Sequence, residues 1–252
     1  MITLFSDLDN TIIYSYKHDI GAMKRSVEVY HGREISFITE NTYRLLKDIK
    51  DKMLIIPTST RTIEQYNRIQ LGVGDFKYAL VCNGGVLLVD GVRDENWYSD
   101  SLRSVSESKD ELEFAMSLLY RDKRRTFDLR FIENLFLFTK CDNPEKVVED
   151  LKRKLDIKKV EVFHNGTKVY VVPVNLSKGN AIKRFGNYMK SDRSIAAGDS
   201  AFDISMLKAA DIGMAPYGFK DSFLVDFDVM EPKEECIFSD FFLGECKKLS
   251  EA

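Results

Sequence analysis

Histidine and cysteine are scarce in this chain, and the scarcity removes whole classes of chemistry. The three histidines, His18, His31 and His164, are scattered, and no HExxH occurs. The four cysteines, Cys82, Cys141, Cys236 and Cys246, form no CxxC and show no zinc-type spacing. Transition-metal chemistry on His and Cys is therefore unsupported, while a hard cation held by carboxylates stays open. A disulfide framework is not expected in a chain of 252 residues, which points to a reducing cytoplasm. No stretch approaches the ~20 apolar residues of a membrane span, so no membrane partner is expected. The N-terminus lacks a basic lead, a long apolar core and a small-residue cleavage site, so no secretory signal is expected either. A net charge of −3 gives no reason to expect nucleic acid. No internal repeat or low-complexity segment stands out.

What is present describes an ordinary globular protein, with 44% hydrophobic and 31% charged residues. The length suits one large domain, or a domain carrying a smaller inserted one, as a monomer or small homo-oligomer. Residues 1–7 read as a buried strand. Residues 14–38 contain short alternating pieces around His31-Gly32 that suggest a hairpin. A helix over 39–53 follows from the spacing of Leu45, Leu46 and Ile49. Then come a strand at 54–57, a short helix to about Leu71 and a third strand at 78–82 closed by Asn83-Gly84-Gly85. This alternation predicts a parallel sheet with crossover helices. From 86 to 173 the texture is that of an antiparallel α+β unit. Short strands and polar loop fill 86–106, and a helix over 108–123 opens on Ser108-Lys109-Asp110-Glu111, which has capping-box spacing. Strands at 127–132 and 135–140, a helix over 144–155 and a hairpin around Asn165-Gly166 complete the unit. The α/β pattern then resumes with a helix after Ser177, a strand at 194–197, a helix over 202–209 and a strand at 212–215. A helix is expected from about Lys233 to Leu249. The fold class is α/β: a Rossmann-like core domain formed by residues 1–85 and 174–252, interrupted by an α+β unit at 86–173.

Ligands in an open parallel sheet bind beyond the carboxyl ends of the strands. Four predicted strands end in reactive residues there: Asp7 and Asp9, Thr58 and Ser59, Asn83, and Asp199. Asp7 and Asp9 are separated by one residue, so both face one side if the extended path persists through Asp9. Two carboxylates that close are tolerated when a cation or a shared proton compensates, which fits a metal-assisted nucleophile beside an acid. They fit equally a strand-to-loop turn in which Asp and Asn bond locally. Asp199 at its strand end could join Asp7 around an octahedral Mg²⁺, although Ser200 to Asp203 also has near-capping-box spacing. Lys178, at a helix start where the chain re-enters the core, could offset carboxylates and a bound phosphate.

These pieces, in this order, resemble the haloacid dehalogenase (HAD) superfamily of phosphotransferases, type II, with a flavour of its Cof-like and sucrose-phosphate-phosphatase-like group. Asp7-Leu8-Asp9-Asn10-Thr11 resembles the first motif. Ser59-Thr60-Arg61 resembles the second, with Thr60 where glycine is usual and Thr58 an alternative hydroxyl. Lys178 in Ser-Lys-Gly-Asn-Ala matches the third, and Gly198-Asp199-Ser200-Ala201-Phe202-Asp203 the fourth, with Phe202 where asparagine is usual. The resemblance implies an Mg²⁺-dependent phosphatase acting on a small phosphorylated metabolite, a sugar phosphate foremost, through an aspartyl phosphate. A phosphomutase and a non-catalytic phospho-acceptor are the alternatives. Asp7 would be the nucleophile and Asp9 the acid/base. The metal would take Asp7, the Asp9 carbonyl and Asp199. Ser59 and Lys178 would hold the phosphate, Thr11 would fix the loop, and Asp203 would orient Lys178 or a water at the metal. Asn83, Arg61 and the inserted unit's Arg124 and Arg125 are candidate substrate contacts. The segment 17–38 offers no assignable chemistry.

Overall fold

A computed structural model describes residues 1–251. The chain divides into two compact units, the first formed by Met1–Asp94 with the segment from Ser177 onward, the second by Glu95–Leu176.

The first part of unit one carries β1 (Ile2–Ser6), β2 (Tyr14–Ser15), β3 (Lys24–Tyr30), β4 (Arg33–Thr39), α1 (Glu40–Ile49), β5 (Leu54–Pro57), α2 (Ile63–Asn67), β6 (Tyr78–Val81), β7 (Val86–Val89) and β8 (Val92–Arg93). The second unit holds α3 (Glu95–Ser104), α4 (Lys109–Arg121), β9 (Arg130–Ile132), β10 (Phe136–Lys140), α5 (Pro144–Lys152), β11 (Val160–Asn165) and β12 (Lys168–Pro173). Unit one resumes with α6 (Lys178–Tyr188), β13 (Arg193–Ala197), α7 (Ile204–Ala209), β14 (Ile212–Met214), α8 (Phe219–Phe223) and α9 (Phe238–Glu251).

The core of unit one is a parallel sheet in the order β14-β13-β1-β5. Thr3, Leu4, Phe5 and Ser6 are all buried, as a strand covered on both faces requires. Helix α1 presents Thr42, Leu46 and Ile49 to this core at helical spacing, and α9 adds Phe238, Phe242, Leu243 and Cys246. The expected third parallel strand, β6, lies beside β5 and meets its extension through a parallel bridge between Thr58 and Leu80, with the Ser59 amide donating to the Leu80 carbonyl at 2.8 Å. Its other edge pairs antiparallel with β7, which pairs with β8. Residues 86–94 therefore stay with unit one, and the division falls after Asp94. The reason is the turn at Cys82-Asn83-Gly84, all three at positive φ, which reverses the chain within a few residues.

The 14–38 region forms the hairpin that its alternation suggests, with β4 pairing both β2 and β3. His31 and Gly32 turn it with φ of 49° and 73°.

Unit two is an antiparallel sheet in the order β11-β12-β10-β9. Val160, Val162, Val169, Val171 and Leu137 alternate along their strands and pack with Leu112, Ala115 and Leu119 of α4 and Val147, Val148 and Leu151 of α5. Residues 95–104, expected as part of a stretch of short strands and polar loop, are helical and bury Trp97 and Ser101. The capping box expected at Ser108 does not form. Its hydroxyl donates to the Lys159 carbonyl at 2.8 Å, and Glu111 accepts from the Asp156 amide at 3.1 Å, so both side chains tie α4 to the loop before β11. At the other end, α9 begins at Phe238 rather than near Lys233. Among the described residues, no helix is long and apolar enough to cross a membrane.

Candidate active site

β1 lies between β13 and β5, so the residues just past its end meet those of both neighbours. The Asp7 amide donates to the Ala197 carbonyl at 2.8 Å, and the Thr58 amide to the Ser6 carbonyl at 2.7 Å. These bonds fix Asp7 beside Asp199 on one flank and Thr58-Ser59 on the other. On the β13 side, α6 begins at Lys178, capped by the Ser177 hydroxyl, which accepts from the Asn180 amide at 3.2 Å.

Lys178 is 1% exposed, and its ammonium lies 2.5 Å from both Asp7 Oδ1 and Asp203 Oδ1. Asp7, Asp199 and Asp203 each offer a carboxylate oxygen within 4.8 Å of the others. The other oxygen of Asp203 accepts from the Asp199 amide at 3.1 Å, the Ser200 amide at 2.9 Å and the Ser200 hydroxyl at 2.7 Å. Asp203 is therefore both the end of a capping box and a bridge to Lys178. Gly198 is obligatory here, because a Cβ on it would collide with the Cβ and Cγ of Asp203. The Thr11 hydroxyl donates to Asp199 Oδ1 at 3.3 Å.

Three carboxylates against one ammonium leave an excess of negative charge away from water. Burial, together with Asp203, Asp199 and Asp9, drives Asp7 well above the carboxylate range despite the opposing pull of Lys178. Burial and Asp203 push Asp199 up to about 7, again against Lys178 and against bonds from Asn10 and Thr11. Burial would strip the proton from Lys178, yet Asp203 and Asp7 more than reverse this and raise it. An all-oxygen, carboxylate-rich donor set with surplus negative charge fits a hard divalent cation such as Mg²⁺.

The pH dependence has a definite sign. Asp199 holds its proton more tightly folded than unfolded, so its contribution to stability is full below about pH 4 and is lost as pH rises through about 7. Metal-free protein should therefore melt at a higher temperature at pH 5.5 than at pH 8, and saturating Mg²⁺ should reduce that difference. A thermal midpoint in chelator that rises from pH 5.5 to 8 would show the cluster is not strained by charge.

Asp9 is near enough to raise Asp7, but its carboxylate lies outside the Asp7, Asp199 and Asp203 cluster. The strand ends at Ser6, and the Asp9 carboxylate is instead gripped by Arg61, with Nε to Oδ2 and Nη2 to Oδ1 both at 2.8 Å. Asp203, expected as a supporting group, is the third carboxylate of the cluster. Arg61 was expected to face substrate, but its five N–H groups are all directed within the protein, to Asp9, Glu28 and the Gln65 carbonyl. Ser59 is buried and its hydroxyl accepts from the Arg61 amide at 3.2 Å, while the neighbouring Thr58 hydroxyl donates back to the Ile56 carbonyl. Thr60 is not left-handed, so this loop has no need of glycine there. Asn83 is buried at φ 58° in the turn after β6. Phe202 stands half-buried on the single turn ending at Asp203, whose bonds to Lys178, Asp199 and Ser200 form without it. In unit two, Arg124 is committed to Asp122 and Asp150, at 2.6 and 3.0 Å, and Arg125 donates to the Phe127 carbonyl at 3.0 Å.

Fold and site together define a class: an α/β protein with an acidic, lysine-bridged centre at the carboxyl edge of its parallel sheet. A family model described as haloacid dehalogenase-like hydrolase matches residues 76–216, and the chain belongs to that family. No curated protein sequence matches it significantly. Among solved structures it is similar to the sucrose-phosphatase of Synechocystis sp. PCC6803, determined with sucrose and phosphate, at 15% identity and TM-score 0.69 over 98% of both chains. It is also similar to a HAD subclass IIB sugar phosphatase, at 16% identity and TM-score 0.62 over 100% of both chains. A third similar structure is a trehalose-6-phosphate phosphatase related protein, at 16% identity and TM-score 0.56 over 100% of this chain and 99% of that one. At these identities the likeness is one of fold.

Proposed function

We propose that this hydrolase is an Mg²⁺-dependent phosphatase that cleaves a small phosphorylated metabolite, a sugar phosphate foremost, through an aspartyl phosphate on Asp7. The observation that carries this reading is the buried Lys178 ammonium shared by Asp7 and Asp203, with Asp199 beside them. A structural ion pair needs one acid per base. Here the surplus of acids at the strand ends makes sense as a receptor for a cation and a phosphoryl group.

Mg²⁺ held by Asp7, Asp199 and Asp203 would supply positive charge against the repulsion between an anionic nucleophile and an anionic phosphate. The chain's own groups do the rest. Lys178 holds Asp7 Oδ1, orients the carboxylate and faces the phosphoryl oxygens. An Asp7 oxygen attacks phosphorus, the bond from phosphorus to the substrate oxygen breaks, and Asp9 delivers a proton to the departing alkoxide. Asp9, now a carboxylate, takes a proton from water, whose oxygen attacks phosphorus and frees Asp7 and inorganic phosphate. Ser59 serves as the hydroxyl contact to phosphate and Thr11 fixes Asp199. The inserted unit is the natural seat of substrate choice, though the engagement of Arg124 with Asp122 and Asp150 argues against it as the anion receptor. The four free cysteines suit a reducing cytoplasm.

The test is phosphate release from a panel of sugar, nucleotide and cofactor monophosphates, in chelator and with Mg²⁺. Multiple turnover that requires Mg²⁺, without a bisphosphate activator, is the expected result. Isomerisation of a sugar phosphate without release would indicate a mutase, and a single phosphorylation without turnover would indicate a phospho-acceptor.

A further inference from the structure

Glu28 is a carboxylate that the chemistry above does not use, and it is completely buried in a hairpin whose charged residues otherwise face water. Its position comes from the backbone. The pairing of β3 with β4 shifts register on both sides of Glu28, so the consecutive residues Val27 and Glu28 are both inside. Bulges of this kind re-aim side chains and recur beside active sites. Glu28 then faces Ser36 directly across the ladder, and the Ser36 hydroxyl donates to Oε2 at 2.7 Å. Arg61 donates through Nη1 to Oε1 and through Nη2 to Oε2, both at 2.9 Å, and Arg68 Nε reaches Oε1 at 3.2 Å. The opposite side of the Arg61 guanidinium grips Asp9 with two further bonds of 2.8 Å. Arg61 is thus a planar fork closed on a carboxylate at either side, a geometry that lysine cannot reproduce.

We infer that Glu28 is a positioning residue for proton transfer: it locks Arg61 so that Arg61 holds the Asp9 carboxylate in the orientation from which Asp9 protonates the leaving oxygen and later deprotonates water. This rests on the reading of Asp9 as acid/base. The hairpin from β3 to β4 is on this account part of the catalytic apparatus and not merely a cover on the sheet.

A rival account is that the network only staples the hairpin to unit one. The two differ in which substrates suffer. An alkoxide needs a proton as it departs, whereas p-nitrophenolate does not, and kcat/KM reports only steps through departure of the alcohol. Glu28→Gln keeps the shape and removes the charge. It should lower kcat/KM about 10–100-fold for benzyl phosphate and no more than about 3-fold for p-nitrophenyl phosphate, a part of the 10²–10⁴ that general acid catalysis supplies. Arg61→Lys should show the same selectivity, and it serves if Glu28→Gln does not fold. In the Asp9→Asn background, Glu28→Gln should cost nothing further on benzyl phosphate, because the group it positions is gone. Equal losses on both probes, or losses that add to those of Asp9→Asn, would overturn the positioning role. Asp9→Asn itself without leaving-group selectivity would instead sink the acid/base reading beneath it.

Discussion

Replacing Asp7 by asparagine should lower kcat by about 10⁴-fold or more, since the amide cannot form the bond to phosphorus. The fold should survive, and the metal-free variant should melt higher than the parent. Burial and three neighbouring acids hold the Asp7 carboxyl far above its ordinary range, so its charge weakens the folded state at neutral pH. Asparagine removes that charge and keeps the shape, and Lys178 retains Asp203 at 2.5 Å. For a chain of 252 residues, each kcal/mol so relieved raises the midpoint by about 2–4 °C. Steady-state assays and thermal melts in chelator check both halves. Turnover within 10-fold of the parent would mean that water attacks phosphorus directly, without Asp7.

The second large effect concerns Lys178. Lys178→Met fills most of the volume of the stem but leaves Asp7, Asp199 and Asp203 without their ammonium. Removing one partner of a buried ion pair costs about 3–5 kcal/mol, or about 6–20 °C in the midpoint at this size. The loss should shrink as pH is lowered towards 5, where the acids regain protons, and Mg²⁺ should restore part of it by binding the folded state alone. Activity should be lost along with the contact to Asp7. A midpoint unchanged at pH 8 would show that the three acids are already neutral in the parent, and would remove the electrostatic basis for a cation site.

Much of this centre was legible because parallel strands end where apolar runs end. Asp7, Ser59, Lys178 and Asp199 each follow such a run or open the next helix, and the structure brings them together at one edge of the sheet. Asp9 was less legible, because the direction of its side chain depends on where extension stops, and β1 stops at Ser6. Asp203 was legible twice over, by its capping-box spacing and as the group expected to orient Lys178, which its Oδ1 contacts at 2.5 Å. Glu28 was illegible for a better reason. Alternation places it opposite Val27, on the watery face, and only a bulge overrides that. The signal available was indirect: a glutamate flanked by two valines in a strand, with Arg61 and Arg68 at a spacing that meant nothing without the fold. Helix α3 was missed because its buried surface is small, centred on Trp97 and Ser101, and leaves no stripe to read.

The position of β1 also dictates the order in which this protein can be built. β1 is synthesised before both of its neighbours yet is an interior strand of the finished sheet, and Ile2 must wait for Arg193 before that flank is paired. Until then one edge of Ile2–Ser6 stays open, and open apolar edges invite pairing with other chains. Lys178, Asp199 and Asp203 emerge within that same late stretch. The groups for chemistry and the strand that closes the sheet thus arrive in one stretch of chain, and a nascent chain halted anywhere in the inserted unit would lack both.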